Sequence, residues 1–546
     1  MNYADKRILL IDDQRPFLTL LRGVINNLGA QAVVTVQNAE AALVACKKEQ
    51  FDFIICDLHL GYGKKNGFQF LEEVRVRLLV KPETVITIVS ADSERPMVLG
   101  SVEKNPDDYL IKPFSQAQLN LRLSKAYHKK MALRSVYAAM QQDDCDAAIN
   151  ACRHLIQSGT RYHKSCFELL TELYWRKGDY LQAKQMLTPI LKDKPQPWVA
   201  IAVAKTDLLL GNFTTAIERA NEVLEHNPLM SEGYDILAQC YLQLNQANDA
   251  LLAIIQAIAL APMSVERQIM ACAIARRNGD YEMAKLRSLD VWEQSKKSIH
   301  RDIAHLCSYF RSIVDAVQNS KSRNTRNKYQ HEMAMAMARY RHDDTLTRIE
   351  EDFDYTIFEN IINARLSFID GRLLEARRTL TETQQQIVNK YTEYPLAMAP
   401  DSIKVMLDLG EYDDADKLIN ELLTRGKIHD EITHLELSTC NENAAQRKDI
   451  YKKCNLKGRD FYNQGKFQEA YLAFIEAQKV APVNTEVALN ILQCHLKIIG
   501  QMKKPEISTL NSLKQMYRHL KNMVMLDVHQ QKFDALKSEL GKYVEV

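Results

Sequence analysis

Nowhere in the chain do apolar residues run for the ~20 positions that a membrane-spanning helix requires, and Met1-Asn2-Tyr3-Ala4-Asp5-Lys6 lacks the apolar core of a secretory signal. A cytoplasmic protein without membrane attachment is the expectation. Cysteine lacks pattern: there are 11, an odd number, with no Cys-x-x-Cys, which argues against a disulfide framework and against a zinc site. Cys152, Cys240 and Cys272 stand in apolar helical segments and read as buried thiols in a reducing compartment. Excess charge is missing too. Lys+Arg 71 against Asp+Glu 69 leaves a formal +2, no general bias toward nucleic acid or an acidic membrane surface. The chain contains no Gly-x-x-x-x-Gly-Lys-Ser/Thr, no kinase catalytic loop, no His-Glu-x-x-His and no recognisable DNA-reading helix-turn-helix. What remains, at 546 residues, is room for several domains by the usual ~150-residue measure.

The first positive signal is Phe53-Ile54-Ile55-Cys56-Asp57-Leu58, an uncharged apolar run that reads as a buried parallel strand with a carboxylate at its end. Four further runs match it. Arg7 to Ile11 ends in Asp12-Asp13, Ala32 to Val36 is the next, Val85 to Val89 ends in Ser90-Ala91, and Tyr109 to Ile111 ends in Lys112-Pro113. Amphipathic segments at Pro16 to Leu28, Ala39 to Lys48, Gly67 to Leu78 and Ser115 to Tyr127 lie between them. Strand and helix in alternation predict a five-stranded, doubly wound parallel sheet of flavodoxin-like type, whose active rim lies at the strand ends.

An acidic pair after the first strand, an Asp after the third, Ser-Ala after the fourth and Lys-Pro after the fifth resemble the receiver domain of two-component response regulators. The resemblance covers about residues 1–125. It implies that Asp57 is a phosphoacceptor, taking its phosphoryl group from a sensor histidine kinase or phosphotransfer protein. It implies Mg²⁺ as cofactor, held by Asp13 and Asp57, by Asp12 through water, and by the His59 backbone carbonyl. Lys112 and Ser90 would bind the phosphoryl group, and Tyr109 would be the aromatic that follows the Ser90 hydroxyl. No other catalysis is expected beyond Mg²⁺-dependent self-phosphotransfer and autodephosphorylation. The sequence departs from the family's pattern after Asp57: Leu58 to Gly67 contains no Pro and delays a Gly to ten residues past the Asp, so this loop is about two residues longer. His59 and Asp92, each two residues past a site residue, flank the path of an incoming water and would tune phospho-Asp lifetime.

Beyond Lys112-Pro113 the helical pattern continues through Leu119, Leu123, Tyr127, Met131 and Tyr137, and no strand-like alternation follows. A turn signature then recurs. Gly178-Asp179-Tyr180 precedes Ala183, Gly211-Asn212-Phe213 precedes Ala216, Asn245-Gln246-Ala247 precedes Ala250 and Gly279-Asp280-Tyr281 precedes Ala284; Asp143-Asp144-Cys145 with Ala148 fits before them. The alanines are 35, 33, 34 and 34 residues apart, and Pro195, Pro228 and Pro262 each follow the turn residue by 17. This resembles the tetratricopeptide (TPR) repeat. Gly371 with Ala376, Gly410 with Ala415, and Gly465 with Ala470 and Pro482 repeat the signature at intervals of 92, 39 and 55, which predicts longer helices or insertions.

The expected organisation is a receiver at 1–125, regular TPR repeats at 126–295 and degenerate TPR-like repeats at 296–546, an all-α superhelix after an α/β domain. The layout is similar to receiver-TPR regulators of the VieB type. The expected role is phosphorylation-controlled binding of a protein or peptide in the TPR groove, inhibiting or competing with a kinase or another response regulator; a homodimer stays open. The alternative is a nucleic-acid-binding transcriptional or antitermination regulator. The basic stretch Lys321 to Lys328 reads as a solvated inter-helix loop, and nucleic acid is not the favoured partner. Met333, Met335 and Met337, two apart, cannot all share one helix face.

Overall fold

The computed structural model describes residues 1–91, 105–193, 196–343, 346, 349–425, 431–502, 507–523, 525, 527–541 and 543. The chain forms two compact units, Met1–Arg301 and Asp302–Val546.

The first unit opens with β1 (Arg7–Ile11), α1 (Arg15–Asn27), β2 (Ala32–Val36), α2 (Ala39–Lys48), β3 (Phe53–Asp57), α3 (Gly67–Val76), β4 (Val85–Ser90), β5 (Asp108–Ile111) and α4 (Gln116–Ala132). The strands are parallel in the order β2-β1-β3-β4-β5. Because successive strand side chains point to opposite faces, one set (Leu9, Ile11, Ile54, Cys56, Ile86, Ile88) packs with Leu43, Phe70 and Leu71 of α2 and α3. The other set (Ile8, Leu10, Phe53, Ile55, Val85, Val89) packs with Leu18, Leu21 and Ile25 of α1 and Leu119 and Leu123 of α4. β1, β3 and β4 are therefore apolar on both faces, which is why they read as continuous runs rather than alternating ones.

α4 runs past Tyr127 to Ala132 and joins α5 (Arg134–Gln141) through Leu133, a fully buried residue. Antiparallel helices follow: α6 (Cys145–Gln157), α7 (His163–Lys177), α8 (Tyr180–Asp193), α9 (Pro197–Leu209), α10 (Phe213–His226), α11 (Ser231–Gln243), α12 (Ala247–Leu260), α13 (Val265–Arg277) and α14 (Tyr281–Ser295). Each recurring turn is made at a left-handed residue: φ is +57° at Asp143, +81° at Gly178, +80° at Gly211, +59° at Asn245 and +68° at Gly279. Asp and Asn stand in for Gly there because their short polar side chains tolerate this conformation. The alanine five residues past each turn is buried: Ala148, Ala183, Ala216, Ala250 and Ala284. Pro195 lies outside the described residues, and Pro189 lies inside α8.

The second unit contains α15 (Ile303–Gln318), α16 (Arg323–Tyr340), α17 (Tyr355–Ile369), α18 (Leu373–Lys390), α19 (Ala399–Leu409), α20 (Tyr412–Thr424), α21 (Glu431–Asn463), α22 (Phe467–Val480), α23 (Thr485–Gln501), α24 (Ile507–Lys521) and α25 (Asp527–Leu540). Gly371, Gly410 and Gly465 are again left-handed, and Ala376, Ala415 and Ala470 are fully buried. The reading of Lys321 to Lys328 as a loop is corrected. Ser322 caps α16, its hydroxyl accepting the Thr325 N–H at 3.1 Å, and Arg323 onward is helical, with Arg326 donating to the Ile369 carbonyl at 2.6 Å. Met333 and Met337 are buried in α16 and Met335 is exposed, as their spacing requires. No helix among the described residues is long and apolar enough to cross a membrane.

Candidate functional site

The sheet's register brings the polar residues to one rim. Ile11 lies opposite Cys56, Asp57 opposite Val89 and Ser90 opposite Ile111, so Asp12, Asp13, Asp57, Ser90 and Lys112 all emerge at the carboxyl ends of neighbouring strands. The Asp12, Asp13 and Asp57 carboxylates each place an oxygen within 4.8 Å of the others. Asp12 and Asp57 are buried and Asp13 is exposed, so the cluster is open on one side.

Backbone and one cation fix its geometry. The Asp12 carboxylate accepts the Gln14 N–H at 2.8 Å, and that of Asp57 accepts the Leu58 N–H at 2.8 Å. Lys112 reaches from the end of β5 to Asp12 at 2.7 Å and Asp57 at 3.3 Å. Its N–H donates to the Ser90 carbonyl at 2.8 Å, and its ammonium lies 3.8 Å from the Phe17 ring centre. Burial pushes the Asp57 carboxyl up to about 6, against the pull of the Lys112 charge and with a further push from Asp12. One ammonium among three carboxylates leaves net negative charge at a partly dry rim. An all-oxygen donor set of that charge fits a hard divalent cation such as Mg²⁺.

Ser90 is fully buried at the end of β4, and Tyr109 is half-buried against the apolar layer that α2 and α3 cover. His59 is exposed in the loop after β3. Asp92 lies outside the described residues. The sequence assigns no role to Phe17 or Gly61, and marks Gly67 only by its displaced position. Phe17, in the first turn of α1, underlies Lys112; only its place just after Asp12-Asp13 pointed there. Gly61 lies against Asp13, whose carboxylate is 3.8 Å from where a Cβ on Gly61 would sit. Gly67 starts α3 on the backbone of Asp57, where a Cβ would come within 2.5 Å of the Asp57 carbonyl oxygen; its signal was a Gly displaced from the family's usual position.

A family model described as response regulator receiver domain matches residues 8–124. The chain is 30% identical over 196 residues to the alkaline phosphatase synthesis transcriptional regulatory protein PhoP of Bacillus subtilis, covering 34% of this chain and 79% of that one. It is 24% identical over 123 residues to the chemotaxis protein CheY-3 of Vibrio cholerae, covering 22% of this chain and 92% of that one. Against the alginate biosynthesis transcriptional regulatory protein AlgB of Pseudomonas aeruginosa, identity is 33% over 119 residues, 22% of this chain, and only 25% of AlgB is spanned. The chain belongs to the response regulators of two-component systems, with its receiver domain at the amino-terminal end of the sequence. Receiver domains bind Mg²⁺ at an acidic pocket and take phosphoryl groups from histidine kinases or phosphotransfer proteins.

Proposed function

We propose that Asp57 is the phosphoacceptor and that its phosphorylation controls protein binding by a tetratricopeptide-type helical array. The single observation that carries the first half is the meeting of Asp12, Asp13, Asp57 and Lys112 at one rim, with Lys112 within 3.3 Å of both Asp57 and Asp12. In the reaction a carboxylate oxygen of Asp57 forms a bond to phosphorus as the donor's N–P bond breaks, and the freed imidazole takes up a proton. The Lys112 ammonium offsets charge on the transferring oxygens, and Ser90 stands one strand away to donate to the bound group. Asp13, Asp57, the His59 carbonyl and, through water, Asp12 would hold Mg²⁺, which would supply the remaining positive charge. His59 and Asp92 tune hydrolysis of the acyl phosphate, and Tyr109 reads the Ser90 position.

Support for the second half is the recurrence of one helical unit: left-handed residues at Asp143, Gly178, Gly211, Asn245 and Gly279, each followed by a buried alanine. Stacked helix pairs of this kind form a concave surface suited to a peptide or helix of another protein. The partner in this reading is a kinase or response regulator of the same pathway.

The test is incubation with Mg²⁺ and a small phosphodonor. One acid-stable, base-labile phosphate per chain is expected, and its persistence in Asp57→Ala would sink the assignment. Affinity purification with wild type and Asp57→Ala side by side tests the binding half. Salt-sensitive nucleic-acid retention without protein capture would favour the transcriptional alternative.

A further inference from the structure

The lengthened loop after Asp57 carries contacts that phosphotransfer does not require. Gly67 meets the Asp57 carbonyl so closely that no side chain fits there, and its N–H donates to the Leu58 carbonyl at 2.8 Å. α3 therefore begins on the backbone of the acceptor. Asn66 caps it: its side chain accepts the Gln69 N–H at 2.9 Å, and the Gln69 side-chain oxygen accepts the Asn66 N–H at 3.0 Å, a reciprocal cap. The nitrogen of that same Gln69 carboxamide donates to the Gln294 carbonyl at 3.2 Å, at the end of α14. Nearly one turn along α3, Glu72 meets the His300 ring at 2.9 Å. Lys297 Nζ lies 3.9 Å from where a Cβ on Gly63 would be. In the segment between α3 and β4, the Val80 carbonyl accepts Gln141 of α5 at 3.3 Å. The helices between Arg134 and Ser295 thus start against the chain that follows α3 and finish against α3 itself.

We infer that Gln69 couples the chemical state of Asp57 to the docking of the Gln294–His300 segment, and that phosphorylation releases it. The inference rests on the reading of Asp57 as phosphoacceptor. Phosphorylation adds about −1.5 to −2 charge at the rim, facing a loop that holds Lys64 and Lys65. The Lys64 stem already lies beside Gly61, which itself lies against Asp13, and Lys65 pairs with Glu73 of α3. New negative charge at Asp57 draws these lysines inward, so the loop shifts and the Asn66–Gln69 cap opens. With its oxygen released from Asn66, the Gln69 carboxamide is no longer held in the orientation that points its nitrogen at Gln294. The contacts of Gln69 and Glu72 with residues 294–300 are polar, with His300 39% and Glu72 20% open to solvent, so a displacement of the cap acts on them directly.

Hydrogen–deuterium exchange on the full chain tests this through the amides of 296–301, where the Lys296, Ser298 and Arg301 N–H groups are bonded internally. Wild type is compared without additions and with Mg²⁺ and beryllofluoride, alongside Asp57→Ala under the same conditions. Exchange at 296–301 should rise on the order of tenfold on activation in wild type and stay unchanged in Asp57→Ala. Gln69→Ala should exchange fast without activation. His300→Ala, which leaves the cap alone, should raise basal exchange while phosphoryl uptake stays normal. If the loop around Leu58 to Asn66 responds to beryllofluoride and 296–301 does not, the coupling is wrong and the phosphoacceptor reading survives. If wild type neither responds at that loop nor takes up phosphate from a small donor, the phosphoacceptor reading falls and the coupling with it.

Discussion

The helices of the first unit and those of the second differ in what joins one pair to the next. From Ala148 to Ala284 each turn is followed by a small buried residue, and the space around the turn glycines Gly178 and Gly211 is open, with no atom beyond their chain neighbours within 4 Å of an added Cβ. The second unit repeats the buried alanines and, at Gly371 and Gly465, the open turns, but it adds a buried ionic network that goes beyond pairs of the Arg267–Asp235 kind found in the first. Asp401, fully buried, accepts Arg311 of α15 at 2.7 Å and Arg365 of α17 at 2.7 Å. Arg365 also holds Asp315 at 2.8 Å, Arg311 pairs with Glu436 of α21, and Ser308 donates to Glu436 at 3.1 Å. Contact between neighbours in a repeat leaves a period in the sequence. Charge pairs between distant helices leave none.

The largest expected effect breaks that difference directly. Asp401→Ala takes a shared carboxylate from two buried guanidinium groups, which keep only Asp315 and Glu436 as acidic partners, and should cost the second unit up to about 3 to 5 kcal/mol. Exchange in α15 and α17 of the full chain should rise by the corresponding factor, with α9 to α12 unchanged. A loss spread equally over both units would mean that the ion network does not define the second. Asp207 of the first unit is the sharper control: it is buried too, but its partners Lys184 and Arg219 are 35% and 36% exposed, so its removal leaves cations that water can reach.

Two glycine substitutions refine the comparison. Gly410, at φ +83°, sits with Ala481 so near that an added Cβ would lie 2.3 Å from its Cα. Gly410→Ala combines left-handed strain with backbone overlap and should cost about 2 to 4 kcal/mol. Gly178→Ala, at φ +81° with open space, carries the strain alone and should cost about 1 kcal/mol. Equal losses would mean that the Gly410 turn is as loosely surrounded as that at Gly178; Gly371 and Gly465, left-handed and open, should behave like Gly178. Between them falls Ala216→Leu, where added methylenes enter a closed helix crossing and should cost about 1 to 3 kcal/mol. That loss should lower melting of the helices and leave phosphoryl uptake intact.

The sheet was legible because a parallel strand buried on both faces is an uninterrupted apolar run: β1 and β2 have the expected bounds, and β4 extends only to take in Ser90. The rim was legible because it collects polar residues at the ends of β1, β3, β4 and β5. Phe17 beneath Lys112 was not, since nothing local distinguishes it from the other apolar residues of α1. The first array was legible through Gly, Asn and Ala at fixed spacing. In the second unit the interval of 55 is explained by α21, a helix of 33 residues. The interval of 92 hides the pair α15 and α16, whose turn at Asn319 to Ser322 has no left-handed glycine to announce it. Lys321 to Lys328 misled because its charge pattern looks solvated; Ser322 capping outweighs it, and Arg326 finds Asp370 at 3.1 Å.

Acidity separates the units by a smaller margin. His495 of α23 lies beside the Tyr471 ring, centres 5.5 Å apart, and the Met516 sulfur at 3.3 Å; His529 of α25 meets the Thr485 hydroxyl at 3.1 Å. Burial holds both rings below the usual histidine value; at His529 the Glu486 and Asp414 carboxylates pull the other way, while Arg377 and Lys532 add to the lowering. A depressed folded value means that the unfolded chain binds more protons below its own value of about 6.5. The stability these two neutral rings contribute is therefore present at neutral pH and is lost as pH falls through that value toward their folded ones. Glu411, whose carboxyl burial pushes up, carries the opposite sign in the same unit, so the raw slope mixes the two. The difference between wild type and His495→Asn with His529→Asn isolates the rings. Denaturation midpoints of the second unit between pH 7 and pH 5 should fall further in wild type than in the double variant, and parallel curves would show that neither ring is held neutral by its surroundings.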